Sequence, residues 1–137
     1  MRTVPYVIGP AVLALLLAGC AGFPSATCSA GLETMTEAQL FLGRSIPGGG
    51  VVGDEDWQRF LDEEVTPRFP DGLTVEDAVG QWRGSGGIVR EPSKRLTIVL
   101  TGAPDEQSKL SSIRESYKRR FRQESVLLLE TRSCGSF

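Results

Sequence analysis

Apolar residues recur along this chain with two periods, and the switches between the periods mark out four strands and two helices. Ala38, Leu40 and Leu42 alternate with Gln39, Phe41 and Gly43, as a strand requires, and Pro47-Gly48-Gly49-Gly50 ends the run. Trp57, Phe60, Leu61 and Val65 recur at helical spacing. Asp54 is placed to cap that helix, Glu55 and Asp56 favour its start, and Pro67 stops it. After the turn-forming Phe69-Pro70-Asp71-Gly72, the positions Leu73, Val75 and Val79 predict a second strand. Gly80 reads as a bulge before Trp82, and Gly84-Ser85-Gly86-Gly87 as a hairpin connection.

A third strand is expected from Ile88 to Leu100. Pro92, which has no N–H to give a ladder, would confine its first half to an edge, and Leu96-Thr97-Ile98-Val99-Leu100 reads as buried on both faces. Pro104 suits the first position of a second helix, with Leu110, Ile113, Tyr117 and Phe121 forming one apolar stripe. Ser125 to Thr131, through Val126-Leu127-Leu128-Leu129, predicts the last strand. The order βαββαβ closes most economically into an α+β, ferredoxin-like sandwich: a four-stranded antiparallel sheet of order 4-1-3-2 with both helices on one face. The other face is left for a partner, a ligand or solvent, and a homodimer pairing two such faces is one way to cover it.

The first residues fall outside this pattern. Arg2 and the apolar run from Val4 to Leu17 lead to Leu17-Ala18-Gly19-Cys20, which resembles a lipobox. The run is short and broken by Pro5, Gly9 and Pro10, so a cleaved signal is expected rather than a spanning helix of about 20 apolar residues. Residues 1–19 are then the signal peptide, 20–35 a small, polar, flexible tether, and 36–137 the α+β domain. Cys20 would carry the acyl chains, palmitate among them, that hold the protein on a membrane. The expected location is the periplasmic side of a bacterial cell envelope. Ala21 in place of an aspartate favours the outer membrane of a Gram-negative host. An ordinary secretory signal cut near Ala18 is the alternative.

Composition narrows the chemistry. The 15 basic residues less Arg2, set against 17 acidic ones, leave a mature charge of −3, which speaks against nucleic acid as a partner. With Cys20 lipidated, Cys28 and Cys134 remain as an even pair in an oxidising compartment, and flanking strands one and four they are expected to form a disulfide. Histidine is absent, which removes the commonest general base and metal ligand and excludes a Ser-His-Asp arrangement. No metal and no cofactor is expected.

Several stretches carry a family likeness: Phe41-Leu-Gly-Arg-Ser-Ile-Pro-Gly-Gly-Gly50, Asp56-Trp57, Phe60-Leu61, and the unbroken block Glu64-Val-Thr-Pro-Arg-Phe-Pro-Asp-Gly-Leu-Thr-Val75. Gly80-Gln-Trp-Arg-Gly84 and Arg90-Glu-Pro-Ser-Lys94 continue it. On these residues the chain resembles the bacterial lipoproteins of domain of unknown function 3574. The resemblance implies export and a single domain, and it brings no catalytic residues.

Candidate chemistry lies in polar groups near the strand ends. Arg44, Glu64, Arg68, Asp71, Gln81, Arg90, Glu91 and Lys94 are the candidate binding residues, with Trp57 and Trp82 as the floor of a cleft. Alternatively both tryptophans are core residues and the charges form rim ion pairs. Gly48-Gly49-Gly50 would cradle an anion or merely turn the chain, and Lys118, Arg119, Arg120 and Arg122 would meet anionic head groups or form a solvated helix end. The expectation is an envelope lipoprotein with a non-catalytic binding domain, whose partner is an envelope protein or a polar ligand. The alternative is a small dimeric cavity enzyme, of oxygenase or isomerase type, using a buried carboxylate such as Glu64, Asp71 or Glu91 as base.

Overall fold

The protein is described by a computed structural model over residues 27–84 and 87–137. The signal peptide, Cys20 and Ser85-Gly86 of the hairpin connection lie outside the described residues. Six main elements follow in the order β1 (Glu33–Gly43), α1 (Asp54–Phe60), β2 (Thr74–Gly84), β3 (Gly87–Leu100), α2 (Glu106–Phe121) and β4 (Leu127–Gly135). The sheet is antiparallel throughout with strand order β2-β3-β1-β4, the ferredoxin-like arrangement.

Period-two patterning decides the faces. Ala38, Leu40 and Leu42 of β1 and Leu96, Ile98 and Leu100 of β3 are buried under the helices. From α2 come Leu110, Ile113, Tyr117 and Phe121, and from α1 Trp57 and Phe60. The aromatic rings interlock: Phe60 meets Tyr117 edge-on at 5.0 Å between centroids, and Tyr117 meets Phe121 at 4.8 Å. The Tyr117 hydroxyl donates to the Gly43 carbonyl at 2.9 Å, so this polar atom has a partner within the aromatic core.

Several local expectations shift. Strand β1 begins at Glu33, ahead of Thr36, and β4 runs past Thr131 to Gly135, because the two flanks pair with each other from Glu33↔Gly135 inward. Gly53, not Asp54, is the N-cap of α1, and α1 continues into a π-helical turn, Leu61–Val65, closed by the Thr66 amide on the Leu61 carbonyl. Gly80 makes no bulge: β2 and β3 stay in register from Thr74↔Thr97 to Gly84↔Gly87. Helix α2 starts at Glu106 with Asp105 as its N-cap, leaving Pro104 in the turn before it, and ends with Arg122 in the left-handed conformation at φ 54°. Val99 is 39% exposed, so the 96–100 segment alternates rather than being buried on both faces. The reason is that nothing among the described residues covers the far side of the sheet there. Pro92 sits where β3 has passed the end of β1, so its missing N–H costs no ladder bond, and its carbonyl accepts from Arg44 N–H.

At the opposite end of the sheet, Cys28 and Cys134 are joined by a disulfide with Cα atoms 5.5 Å apart. A turn closed by the Leu32 amide on the Ser29 carbonyl folds the segment back so that Cys28 lies beside Thr34, the pairing neighbour of Cys134.

Candidate functional site

The candidate residues occupy three separate regions. Around the base of the β2–β3 hairpin lie Arg44, Trp57, Glu91 and Lys94. Arg44 donates from Nε to the Val52 carbonyl at 2.7 Å and pairs with Asp54 at 2.8 Å, so it closes the 44–54 loop rather than facing solvent with a free charge. Trp57 is a core residue. The Lys94 ammonium lies 5.9 Å from its ring centroid and binds Asp77 at 2.6 Å. That hydrogen bond holds the Asp77 carboxyl below its ordinary value. Glu91 is 3% exposed and accepts the Ser45 N–H at 3.0 Å. Burial raises the Tyr117 hydroxyl well above its ordinary value of 10.0, with the Glu91 charge adding to the rise and Arg44 opposing it.

Farther out on the hairpin, Arg90 donates to Gln81 at 2.8 Å, and Trp82 is 47% exposed. The two tryptophans therefore part: one is core, the other stands at the surface, and together they floor no cleft.

Glu64 and Arg68 form an i,i+4 pair at 3.0 Å and line an open groove of about 400 Å³ with Ser111, Ser112, Ser116 and Arg119 of α2. Asp71 lines a smaller cavity of about 170 Å³ with Arg68, Phe69, Thr101, Glu106 and Lys109. Glu106 is buried, and its carboxylate accepts the Thr101 amide, the Thr101 hydroxyl and the Gly102 amide at 2.7 to 3.0 Å. The sequence reading passed over Glu106 and the α2 serines, since a glutamate at a helix start and scattered serines are the ordinary surface of a helix.

Two weighed features resolve by geometry. Gly48, Gly49 and Gly50 all have φ between 90 and 111° and turn a tight loop in which the Gly49 amide bonds the Ile46 carbonyl. In the basic cluster Arg120 binds Glu63 and Lys118 binds Glu115, both at 2.6 Å, a solvated helix end tied down by ion pairs.

Among the described residues the helix-free side of the sheet is uncovered. Pairing places Glu33, Glu37, Gln39 and Phe41 of β1 on it with Leu127 and Leu129 of β4, Arg95, Thr97 and Val99 of β3, and Glu76 of β2. Leu127, Leu129 and Val99 are 53, 46 and 39% exposed. Arg95 of β3 grips Glu76 of the edge strand β2 with two guanidinium nitrogens, on the side of this face away from Leu127 and Leu129. The signal for Leu127 and Leu129 was present in the Val126-Leu127-Leu128-Leu129 run, where only alternate residues can point to the core.

The fold and this face define a ferredoxin-like α+β domain with an open sheet. Residues 37–137 match the family described as protein of unknown function (DUF3574), and the chain belongs to that family. Among solved structures, it is similar to a phage SAM lyase in complex with S-methyl-5'-thioadenosine at 18% identity and TM-score 0.58, covering 75% of this chain and 90% of that one. The apo state of a phage SAM lyase matches at 17% identity and TM-score 0.56, over 76% of this chain and 89% of that one. CutA from Synechococcus elongatus PCC7942 aligns at 10% identity and TM-score 0.49, over 75% of this chain and 80% of that one. No curated protein matches the chain.

Proposed function

We propose that the protein is an exported, lipid-anchored envelope lipoprotein whose domain binds a partner, another protein or a polar envelope ligand, through the open sheet face and its charged rim, without catalysing a reaction. The observation that carries this reading is the uncovered face itself. Exposed Leu127, Leu129 and Val99 beside Phe41, with the Glu76–Arg95 pair on the other side of Phe41 from β4, make an apolar and charged surface of the kind that marks an interaction site. Export is supported by Leu17-Ala18-Gly19-Cys20 and by the Cys28–Cys134 disulfide, a bond that persists outside the cytoplasm.

The buried carboxylates argue for binding over catalysis. Glu91 already accepts the Ser45 amide, and Glu106 is occupied by three donors of the β3–α2 loop, so each is a structural acceptor. Glu64 is spent on Arg68, and the groove it lines is open and polar rather than closed and apolar.

A photocrosslinking residue at Leu129 in the full-length chain, expressed in its envelope, tests the surface, with the same residue at Ser108 on the exposed side of α2 as control. Discrete adducts from position 129 alone are expected; equal yields from both, or none from 129, overturn the reading. The anchor is tested by Cys20→Ser, which should abolish labelling by radioactive palmitate; a variant that still takes up label overturns it.

A further inference from the structure

Strands β2 and β3 outrun the rest of the sheet. β1 stops at Gly43, opposite Ser93, whereas β2 and β3 go on pairing from Val79↔Pro92 to Gly84↔Gly87. These six pairs form an arm about 20 Å long at the ordinary rise per residue. A lone two-stranded ribbon is marginal in water. This one also exposes apolar side chains on both sides: Val79 is 79% and Ile88 52% exposed on one, Trp82 47% and Val89 38% on the other. Such a ribbon gains most when something covers it.

Charge says what the cover is. Residues 78–90 contain Arg83 and Arg90 and no acidic residue, and pairing sets both arginines on the same side as Val79 and Ile88. The open face of β1 is the complement: residues 33–43 contain Glu33 and Glu37 and no basic residue, and both glutamates share that face with Phe41, next to Leu127 and Leu129. A basic, apolar arm and an acidic, apolar face belong to the same chain.

We propose that the arm of one copy lies across the open sheet face of a second copy, Val79 and Ile88 against Phe41, Leu127 and Leu129, with Arg83 and Arg90 directed to Glu33 and Glu37. This rests on the reading of the open face as the binding surface and names its occupant. A ribbon about 20 Å long and two strands wide covers about 200 Å² of the partner's face, so mutual exchange buries about 400 Å² per partner, below the roughly 800 Å² of stable complexes, and makes a weak contact directed by charge. Arm and face are different patches, so the contact closes by mutual exchange in a dimer or by running round a ring.

The test uses full-length protein in two differently tagged copies, co-expressed, with a photocrosslinker in place of Ile88. An adduct containing both tags is expected. Adducts only with other proteins, from both 88 and 129, overturn the self-pairing while leaving the open-face reading intact; no adduct from 88 overturns the self-pairing, and no adduct from either position overturns both. Arg83→Glu with Arg90→Glu should lower the two-tag yield about tenfold, as should Glu33→Lys with Glu37→Lys, and the four changes together should restore it to within about threefold. Misfolding would not be reversed by adding two more substitutions, so recovery separates pairing from damage. Equal yields from all four chains would overturn the charge complementarity on which the pairing rests.

Discussion

The carboxylate of Glu91 fills the space over the α-carbon of Gly43, and a methyl group built at that position would overlap its Oε1. Two residues distant in sequence thus compete for one space: a side chain at 43 must displace the Glu91 carboxylate. Gly43→Ala should push the carboxylate off the Ser45 amide and cost about 1 to 3 kcal/mol, the usual penalty for a buried group losing its partner. In the Glu91→Ala background the same substitution should cost much less. Denaturant midpoints of the four chains measure the coupling; additive effects would show that the contact is relaxed without cost.

The arginines of the candidate rim should separate cleanly. Arg44→Ala removes the bonds to the Val52 carbonyl and Asp54 and should lower stability by about 1 to 3 kcal/mol. Arg90, on the exposed arm and hydrogen-bonded to Gln81, should change stability by no more than about 0.5 kcal/mol when replaced by alanine. Thermal unfolding of both variants checks the contrast.

Tyr117 governs the alkaline limb. Its folded-state value lies above the ordinary 10.0, so the unfolded chain releases the proton first and the folded state binds more protons. Its contribution is complete below about pH 10 and is lost as pH rises from there toward the folded value. Tyr117→Phe should begin less stable by about 1 kcal/mol, for the lost bond to Gly43, and should show a flatter decline at high pH. Tyr6 is the other tyrosine of the chain, so tyrosinate absorbance of a Tyr6→Phe chain reports this one group and should appear together with unfolding.

The acid limb runs the other way. Lys94 holds Asp77 below 3.8, so the stability it contributes is present above that value and is lost as pH falls through the lower, folded one. Glu115, held down by Lys118, acts in the same sense. Asp77→Asn should flatten the acid side of the stability curve and leave the alkaline side as it was; urea titrations across pH measure both.

Cutting the disulfide should be costly. Cys28 and Cys134 are 106 residues apart, a loop for which the loss is about 2 to 4 kcal/mol. The Cys28→Ser, Cys134→Ser pair should unfold at correspondingly lower denaturant, and thiol labelling of the denatured, unreduced protein should find neither sulfur free.

Faces were easier to read from the sequence than ends. The α2 stripe Leu110, Ile113, Tyr117 and Phe121 and the β1 stripe Ala38, Leu40 and Leu42 follow from periodicity, and the strand order from the sequence of elements and the rules of their connection. What periodicity does not carry is length relative to a neighbour. That β3 passes the end of β1 explains Pro92 and the exposed Val79 and Ile88, and it depends on pairing rather than on either segment. The site suffers in the same way. Arg44 and Arg90 look alike in a list of charges, and only the Val52 carbonyl, brought beside Arg44 by the glycine loop, makes one a clasp and leaves the other free to meet solvent.

The two ends of the sheet differ in kind. Strand β1 leads from the cystine at one end to the base of the arm at the other, about 35 Å at its rise per residue. A chain held by its N-terminal side would be tethered at the cystine end, and copies rooted in one leaflet would meet in a search over a plane rather than through a volume. Lipid attachment would in that case act as a concentrating device, making a weak self-contact sufficient on the membrane that would dissociate in dilute solution.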